Sequence, residues 1–294
     1  MYLLTDSVKR SVHCRGVLRP ILLATVTILL TVSCSTVAFT GRHRVLMFPD
    51  SQITALSDEA YSALMDTMRL SANQIQTSMV VSVGQRLTSA LEKYLASTGQ
   101  SDVVSGLKWD YKLVRSAQAN AFCMPNGKIV FYEGIMPYCT TADDIAVVMG
   151  HEIAHAIARH GNERMSQQRL LGTAGSIASV VIGARTNDQT RSLFDTAFNL
   201  GSQYGVLLPF SRKHELEADR IGLIIMAIAG YDVDRAPVFW RNMAAGSRTS
   251  VPTVLSTHPS DANRLREIEK NIPAAKSVAA SLRQQTFQVQ TKKQ

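Results

Sequence analysis

The stretch HEIAHAIARH, residues 151–160, constrains the fold of this chain more than any other feature. On a helix, His151 and His155 stack on one face about 6 Å apart along the axis, which lets two imidazoles reach one zinc ion. Glu152 then projects beside the ion, where it can take a proton from an attacking water. The same pattern also arises by chance on charged amphipathic helices, so its meaning depends on the rest of the chain. A catalytic zinc needs a third protein ligand and an open position. If the helix is continuous, Glu163 lies roughly 12 Å past His155 along the axis, and His160 is rotated off the face of the pair. The third ligand then has to come from another segment, and the fold has to bring that segment against the His helix.

A second charged helix offers one. In HELEAD, residues 214–219, Glu215 and Asp219 are four apart and share a face. One can bind zinc while the other holds a ligand histidine by its distal ring N–H, a task that suits Asp219. Glu217 reads as a surface charge and His214 as a weaker competitor for the metal.

Around these helices the pattern predicts an α+β fold, mostly helical, in a single domain. Residues 35–50 read as an irregular arm. Helical periodicity runs from Ser57 to about Leu95, with acidic residues in its first turn. LKWDYKLV alternates as a strand does, and ANAFCM and KIVFYEG flank the turn PNG, which predicts one small antiparallel sheet. Pro125 suggests an edge position for ANAFCM. Thr141 with Asp144 three residues on predicts a capping box opening one helix from there through Met165. Residues 170–208, rich in Gly, Ser and Ala, lie between the two ligand helices as a candidate lid or plug. Further helices are predicted up to a stop at Gly230, over DRAPVFWRNMAA, and from Ser260.

Composition adds exclusions. The chain has 294 residues, 46% hydrophobic and 18% charged, enough for a core of normal size. The net charge of +8 is spread out, with Lys9, Arg10, Arg15 and Arg19 in a basic leader, and no aromatics interleave with basic residues. No nucleic-acid partner is expected. The leader precedes the apolar run 21–33, which has the length of a signal-peptide core. It ends in TVSC, which resembles the bacterial lipobox and makes Cys34 the expected lipidation site. An uncleaved N-terminal anchor is the alternative. Cys123 and Cys139 are read either as a pair in an oxidising compartment or as two buried thiols.

Taken together, HExxH, the downstream E-x-x-x-D helix, NAFCMPNGKIVFYEGIM, HGNERMSQ, PFSRKHELEADRIG, AGYD with APVFW, and THPSDANRL resemble one family. It is the gluzincin zinc metallopeptidases of the Ste-twenty-four/HtpX type (peptidase family M48), closest to short periplasmic lipoprotein members of the LoiP/BepA kind. The resemblance covers roughly residues 40–272. It implies a gluzincin-like domain binding one Zn2+ per chain through His151, His155 and Glu215, with Glu152 as catalytic base and acid and Asp219 behind the ligands. It implies that the edge strand Asn120, Ala121, Phe122 and Cys123 lines the cleft and pairs with an extended substrate. His258 matches a segment that brings a histidine near the metal, and Arg264 matches a basic residue placed to stabilise an oxyanion. Cys123 and Met124 depart from the small and apolar residues usual in that strand. No multi-helix membrane region is expected, and no tetratricopeptide repeats after residue 272.

The expected organisation is a lipoprotein signal peptide over 1–33, an arm over 34–56, the zinc metallopeptidase domain over 57–272 and a polar, disordered tail over 273–294. The expected function is a metalloendopeptidase in the bacterial periplasm, lipid-anchored to the outer membrane, that cleaves unfolded or misassembled envelope proteins. The alternative is a zinc-stabilised, lipid-anchored binding or chaperone-like protein with little turnover.

Overall fold

The computed structural model describes residues 33–174, 187–198, 211–246, 253–258 and 262–291. The core is built by two helices that cross at close range. Helix α3 (Ala142–Ile157) opens with the capping box expected of Thr141 and Asp144, each side chain bonded to the other's backbone amide. Helix α6 (Arg212–Ile228) starts at Ser211, whose side chain accepts from the His214 amide. The helices meet at Gly150 and Gly222: a Cβ added to Gly222 would lie 3.0 Å from the Gly150 carbonyl carbon and the His151 nitrogen. Only glycine permits that approach, and the approach brings His151 and the Glu215–Asp219 face together.

Helix α2 (Gln74–Ser97) packs on this pair with Val80, Val83, Leu87, Leu91 and Leu95, one apolar stripe at helical spacing. Strands β3 (Asp110–Val114), β4 (Ala121–Cys123) and β5 (Lys128–Tyr132) form a sheet in the order β3–β5–β4. The β4–β5 hairpin is antiparallel, closed by a turn in which Gly127 has φ 89°. The sheet as a whole is mixed rather than antiparallel, because β3 runs parallel to β5. Period-two alternation encodes which face is buried, not which neighbour a strand chooses. Here residues 115–120 pass across the end of β5, packed so closely on Gly134 that a Cβ there would meet the Ala117 carbonyl oxygen at 2.3 Å. Strand β4 is left at the edge, as expected, and packs beside α3.

The expected irregular arm is ordered. Strands β1 (Ser33–Thr36) and β2 (His43–Leu46) form an antiparallel hairpin, and helix α1 (Asp50–Thr67) begins ahead of Ser57, directly after Pro49. The predicted long His helix also differs. It ends at Ile157, Arg159 adopts φ 53°, and a new helix α4 (His160–Ala174) sets off in another direction. Helix α5 (Asn187–Phe198), inside the candidate lid, joins Phe194 to Phe48, Ile53 and Met165 in a satellite core between the N-terminal segment and α4. The rest of that candidate lid, 175–186 and 199–208, lies outside the described residues, as do residues 1–32 of the expected signal peptide. Cys34 sits in β1, opposite Val45.

Helices α7 (Arg235–Gly246), α8 (Thr253–Thr257) and α9 (Ala262–Thr291) complete the fold. The tail expected to be disordered from 273 is instead the second half of α9. Ile268, Ile272, Ala275 and Ala279 are buried at three- and four-residue spacing, and α9 packs on α6 and α7. Alanine carries the apolar stripe there, so mean polarity hides it. Among the described residues no helix is long and apolar enough to cross a membrane.

Candidate metal centre

The last two turns of α3 carry His151, Glu152 and His155, and the first turns of α6 carry Glu215 and Asp219, all buried. The structure brings His151, His155, Glu215 and His258 into one group whose ligand atoms all lie within 4.8 Å of one another. His151 Nε2 is 3.1 Å from His155 Nε2 and 3.4 Å from Glu215 Oε2, and His155 Nε2 is 3.4 Å from Glu215 Oε1. A tetrahedral zinc with bonds near 2.0–2.1 Å spaces its donors by about 3.3 Å, so this set of nitrogen and carboxylate donors suits zinc. Among the described residues, the buried Glu215 Oε2 and Glu152 Oε1 have no hydrogen-bond partner. Such orphaned oxygens are costly unless a cation or ligand completes them.

His258 closes the fourth corner, with Nδ1 3.1 Å from His151 Nε2 and 3.0 Å from Glu215 Oε1 and Nε2 3.6 Å from Glu152 Oε1. Helix α8 delivers it: the His258 amide donates to the Val254 carbonyl, and the Val254 amide donates to Ala119, just ahead of β4. The edge strand therefore touches both sides of the centre, since the Cys123 backbone also hydrogen-bonds the Glu152 carboxyl. Asn120 contributes its carbonyl to the Tyr132 amide, Ala121 is buried and Phe122 is half-buried. Burial raises the Glu152 carboxyl above its ordinary value. Cys123 and Cys139 are both buried and free, and burial raises both thiols out of the reactive range.

Asp219 accepts from His151 Nδ1 at 2.9 Å, which leaves Nε2 facing the donor cluster. Arg264, the expected oxyanion donor, lies against the ligands themselves, with Nη1 3.4 Å from Glu215 Oε2. Its Nε and Nη2 go to Asp219 at 2.7 and 2.9 Å, its Nη1 goes to the His258 carbonyl at 3.0 Å, and its guanidinium lies 4.0 Å over the Trp240 ring. It holds Asp219 in register: burial would raise that carboxyl, but the charge and hydrogen bonds of Arg264 together with those of His151 outweigh burial and keep it low.

Two readings from the sequence change. Glu217 is no surface charge but a buried one, accepting from Thr40, Arg42 and His160. Burial alone would raise its carboxyl, yet those bonds hold it down to about 2. His160 sits 2.9 Å from His155, Nδ1 to Nδ1, because the break at Arg159 turns it back toward the site. Burial drives its pKa down to about 4, so the ring is neutral. His214 is likewise outside the donor group: it pairs with Glu163 at 3.2 Å and stacks on His160. No sequence pattern marks Arg159 as a helix break, which is why these partners escape a one-helix projection.

A sequence profile for Peptidase family M48 matches residues 83–272. The chain belongs to peptidase family M48. Among M48 relatives, the mitochondrial metalloendopeptidase OMA1 of Schizosaccharomyces pombe is 37% identical over 191 residues, 64% of this chain and 53% of that protein. The human mitochondrial metalloendopeptidase OMA1 is 31% identical over 241 residues, 80% of this chain and 45% of its own length. The beta-barrel assembly-enhancing protease of Yersinia pestis is 30% identical over 162 residues, 53% of this chain and 33% of that protein. The chain thus spans about half the length of the mitochondrial relatives. The mitochondrial enzymes match more of this chain, at higher identity, than the barrel-assembly protease does, so the expected closeness to LoiP/BepA-type members is not supported.

Proposed function

We propose that this M48 protein is a zinc-dependent endopeptidase that hydrolyses peptide bonds of unfolded or misassembled proteins in the bacterial envelope. The observation that carries this reading is the buried Glu152, with its raised pKa and an oxygen lacking a hydrogen bond, beside a donor set that suits zinc. When bound, zinc supplies Lewis acidity that polarises the scissile carbonyl and acidifies the attacking water. His151, His155 and Glu215 would hold the ion. Glu152 takes the water's proton and returns it to the leaving amine. The edge of β4, from Asn120 to Cys123, pairs with an extended substrate backbone, a mode largely indifferent to sequence and suited to unfolded segments. His258 would have to leave its place beside His151 and Glu215 to admit substrate, and Arg264 keeps Asp219 on His151.

The basic leader, the apolar run 21–33 and the small residues before Cys34 favour a periplasmic lipoprotein anchored to the outer membrane through that cysteine. The name of one relative, beta-barrel assembly-enhancing protease, agrees with envelope work, whereas the OMA1 names point to mitochondria for those proteins. Expression of the full chain with radiolabelled palmitate tests both parts. Label should enter the wild type and not Cys34→Ser, and Glu152→Gln should keep one zinc per chain while losing ~10²–10⁴-fold in cleavage of an unfolded substrate. Label absent from the wild type would favour an uncleaved anchor instead.

A second reading has one observation in its favour. Four buried donors, with His258 among them, resemble the closed set of a structural zinc. Unchanged activity in Glu152→Gln would move the protein to that class, a zinc-stabilised binding protein.

A further inference from the structure

The two histidines of the HExxH pair are held from behind in different ways. His151 reaches its carboxylate directly, through Asp219 at 2.9 Å. His155 instead presents its Nδ1 to a second imidazole, His160 Nδ1, at 2.9 Å. His160 in turn has its Nε2 3.0 Å from Glu217 Oε2. The direction of protons along this line follows from its ends. His155 turns Nε2 toward the donor cluster, so its Nδ1 carries the hydrogen and donates to His160 Nδ1. His160 then carries its own hydrogen on Nε2 and donates it to the Glu217 carboxylate.

The far end of the line is in the N-terminal hairpin. Arg42 donates from Nε to Glu217 at 2.7 Å and from both terminal nitrogens to Glu163 at 2.8 and 2.7 Å, while Thr40 donates to the other Glu217 oxygen. Arg44, two residues on, donates to the Ala158 carbonyl at the end of α3, next to the Arg159 turn that folds His160 back. The hairpin thus braces both the carboxylate and the helix break on which the line depends.

The geometry points to a positioning chain, Arg42–Glu217–His160, that orients the zinc ligand His155 and raises its basicity, making the N-terminal hairpin a part of the metal centre. A metal-bound imidazole is oriented and made more basic by the acceptor of its second N–H, and removing such a partner commonly costs 10–100-fold in affinity. Here the acceptor is a neutral histidine backed by a carboxylate, so the charge acts through one intervening ring. This inference rests on the zinc reading of the centre, and it adds that residues before the matched family segment 83–272 set the metal affinity.

Zinc itself is the probe. The full chain, stripped and refilled, is titrated with Zn2+ against a chromogenic chelator, and its Co2+-substituted form is recorded in the visible range. Glu217→Gln should raise the zinc Kd roughly 10–100-fold and shift the Co2+ bands. Arg42→Gln should act in the same direction, and its side chain, 14% exposed, makes it the variant that carries the test if Glu217→Gln does not fold. Arg235→Ala, which breaks an ion pair at the far end of α3, should lower stability yet leave the Kd and the Co2+ spectrum unchanged, separating positioning from stability. A wild type that binds no zinc overturns the zinc reading and this inference together. A wild type that binds zinc, with folded Glu217→Gln or Arg42→Gln binding it equally tightly and with the same Co2+ spectrum, overturns this inference alone.

Discussion

At the scale of single residues, the groups behind the donor set are buried charges that tolerate burial because each has a partner. Asp219 accepts from His151 on one oxygen and from Arg264 on both, and Arg264 lies over Trp240. Asp219→Asn keeps the shape but sets an amide N–H2 against either the guanidinium or the imidazole N–H, leaving two buried donors face to face. The expected result is a zinc Kd higher by roughly 10–100-fold, checked by chelator competition on the folded variant. The pairs His151/His155 and Glu215/Asp219 were legible in the sequence, because helical spacing of four fixes which side chains share a face, while the family resemblance supplied the choice of Glu215 as ligand and Glu152 as base. Glu217 and His160 were not, since each sits off those faces on an ideal straight helix. Their roles depend on the helix break at Arg159 and on partners more than a hundred residues away, such as Arg42.

At the scale of elements, the decisive contact is the crossing of α3 and α6. Gly150 and Gly222 let the two backbones touch, and His151 lies next to one of them. Replacing Gly222 with Ala gains about 1 kcal/mol of helix propensity, which competes with the crowding. Gly222→Val removes that ambiguity, because a branched side chain 3.0 Å from backbone atoms forces the helices apart. It is expected to cost about 1–3 kcal/mol in urea unfolding and to weaken zinc binding in the same protein. The sheet illustrates the reverse limit. Its strands and the β4–β5 hairpin follow from alternation and the PNG turn, but the parallel pairing of β3 with β5 is a long-range choice. Helix α9 likewise continues past 273 because α6 and α7 offer a surface for Ile272, Ala275 and Ala279, which a composition average does not register.

At the scale of the whole molecule, ion pairs tie distant segments onto this helix pair. Arg235 at the start of α7 reaches Asp144 in the capping box of α3 at 2.7 Å. Burial would raise the Asp144 carboxyl, but the hydrogen bonds of Arg235, Thr140 and Thr141 outweigh it and hold the pKa below its ordinary value. A carboxyl whose folded pKa is depressed stabilises the fold fully above its unfolded value and loses that contribution as pH falls through the folded one. Acid should therefore erode this part of the stability below about pH 4, the ordinary carboxylate range. Arg235→Ala should lower stability by about 1.5–3 kcal/mol at neutral pH and move the acid-unfolding midpoint upward, as followed by circular dichroism. A second tie is the hairpin and α1, bound to the ligand helices through Arg42 and Arg44 and to α5 through Phe48, Ile53 and Phe194. A segment that reads as an arm is thus part of the domain.

The sequence by itself determined the helix faces, the capping box and the paired i, i+4 sets, because these follow from local geometry that the chain carries wherever it goes. What only the tertiary structure decided is how those faces meet. It brought His258 to the fourth corner, turned Arg264 onto Asp219, and buried Glu217 between the hairpin and His160. The physical reason is the same in each case. A buried charge or imidazole is stable only against particular partners, and those partners are chosen by the packing of segments far apart in the chain.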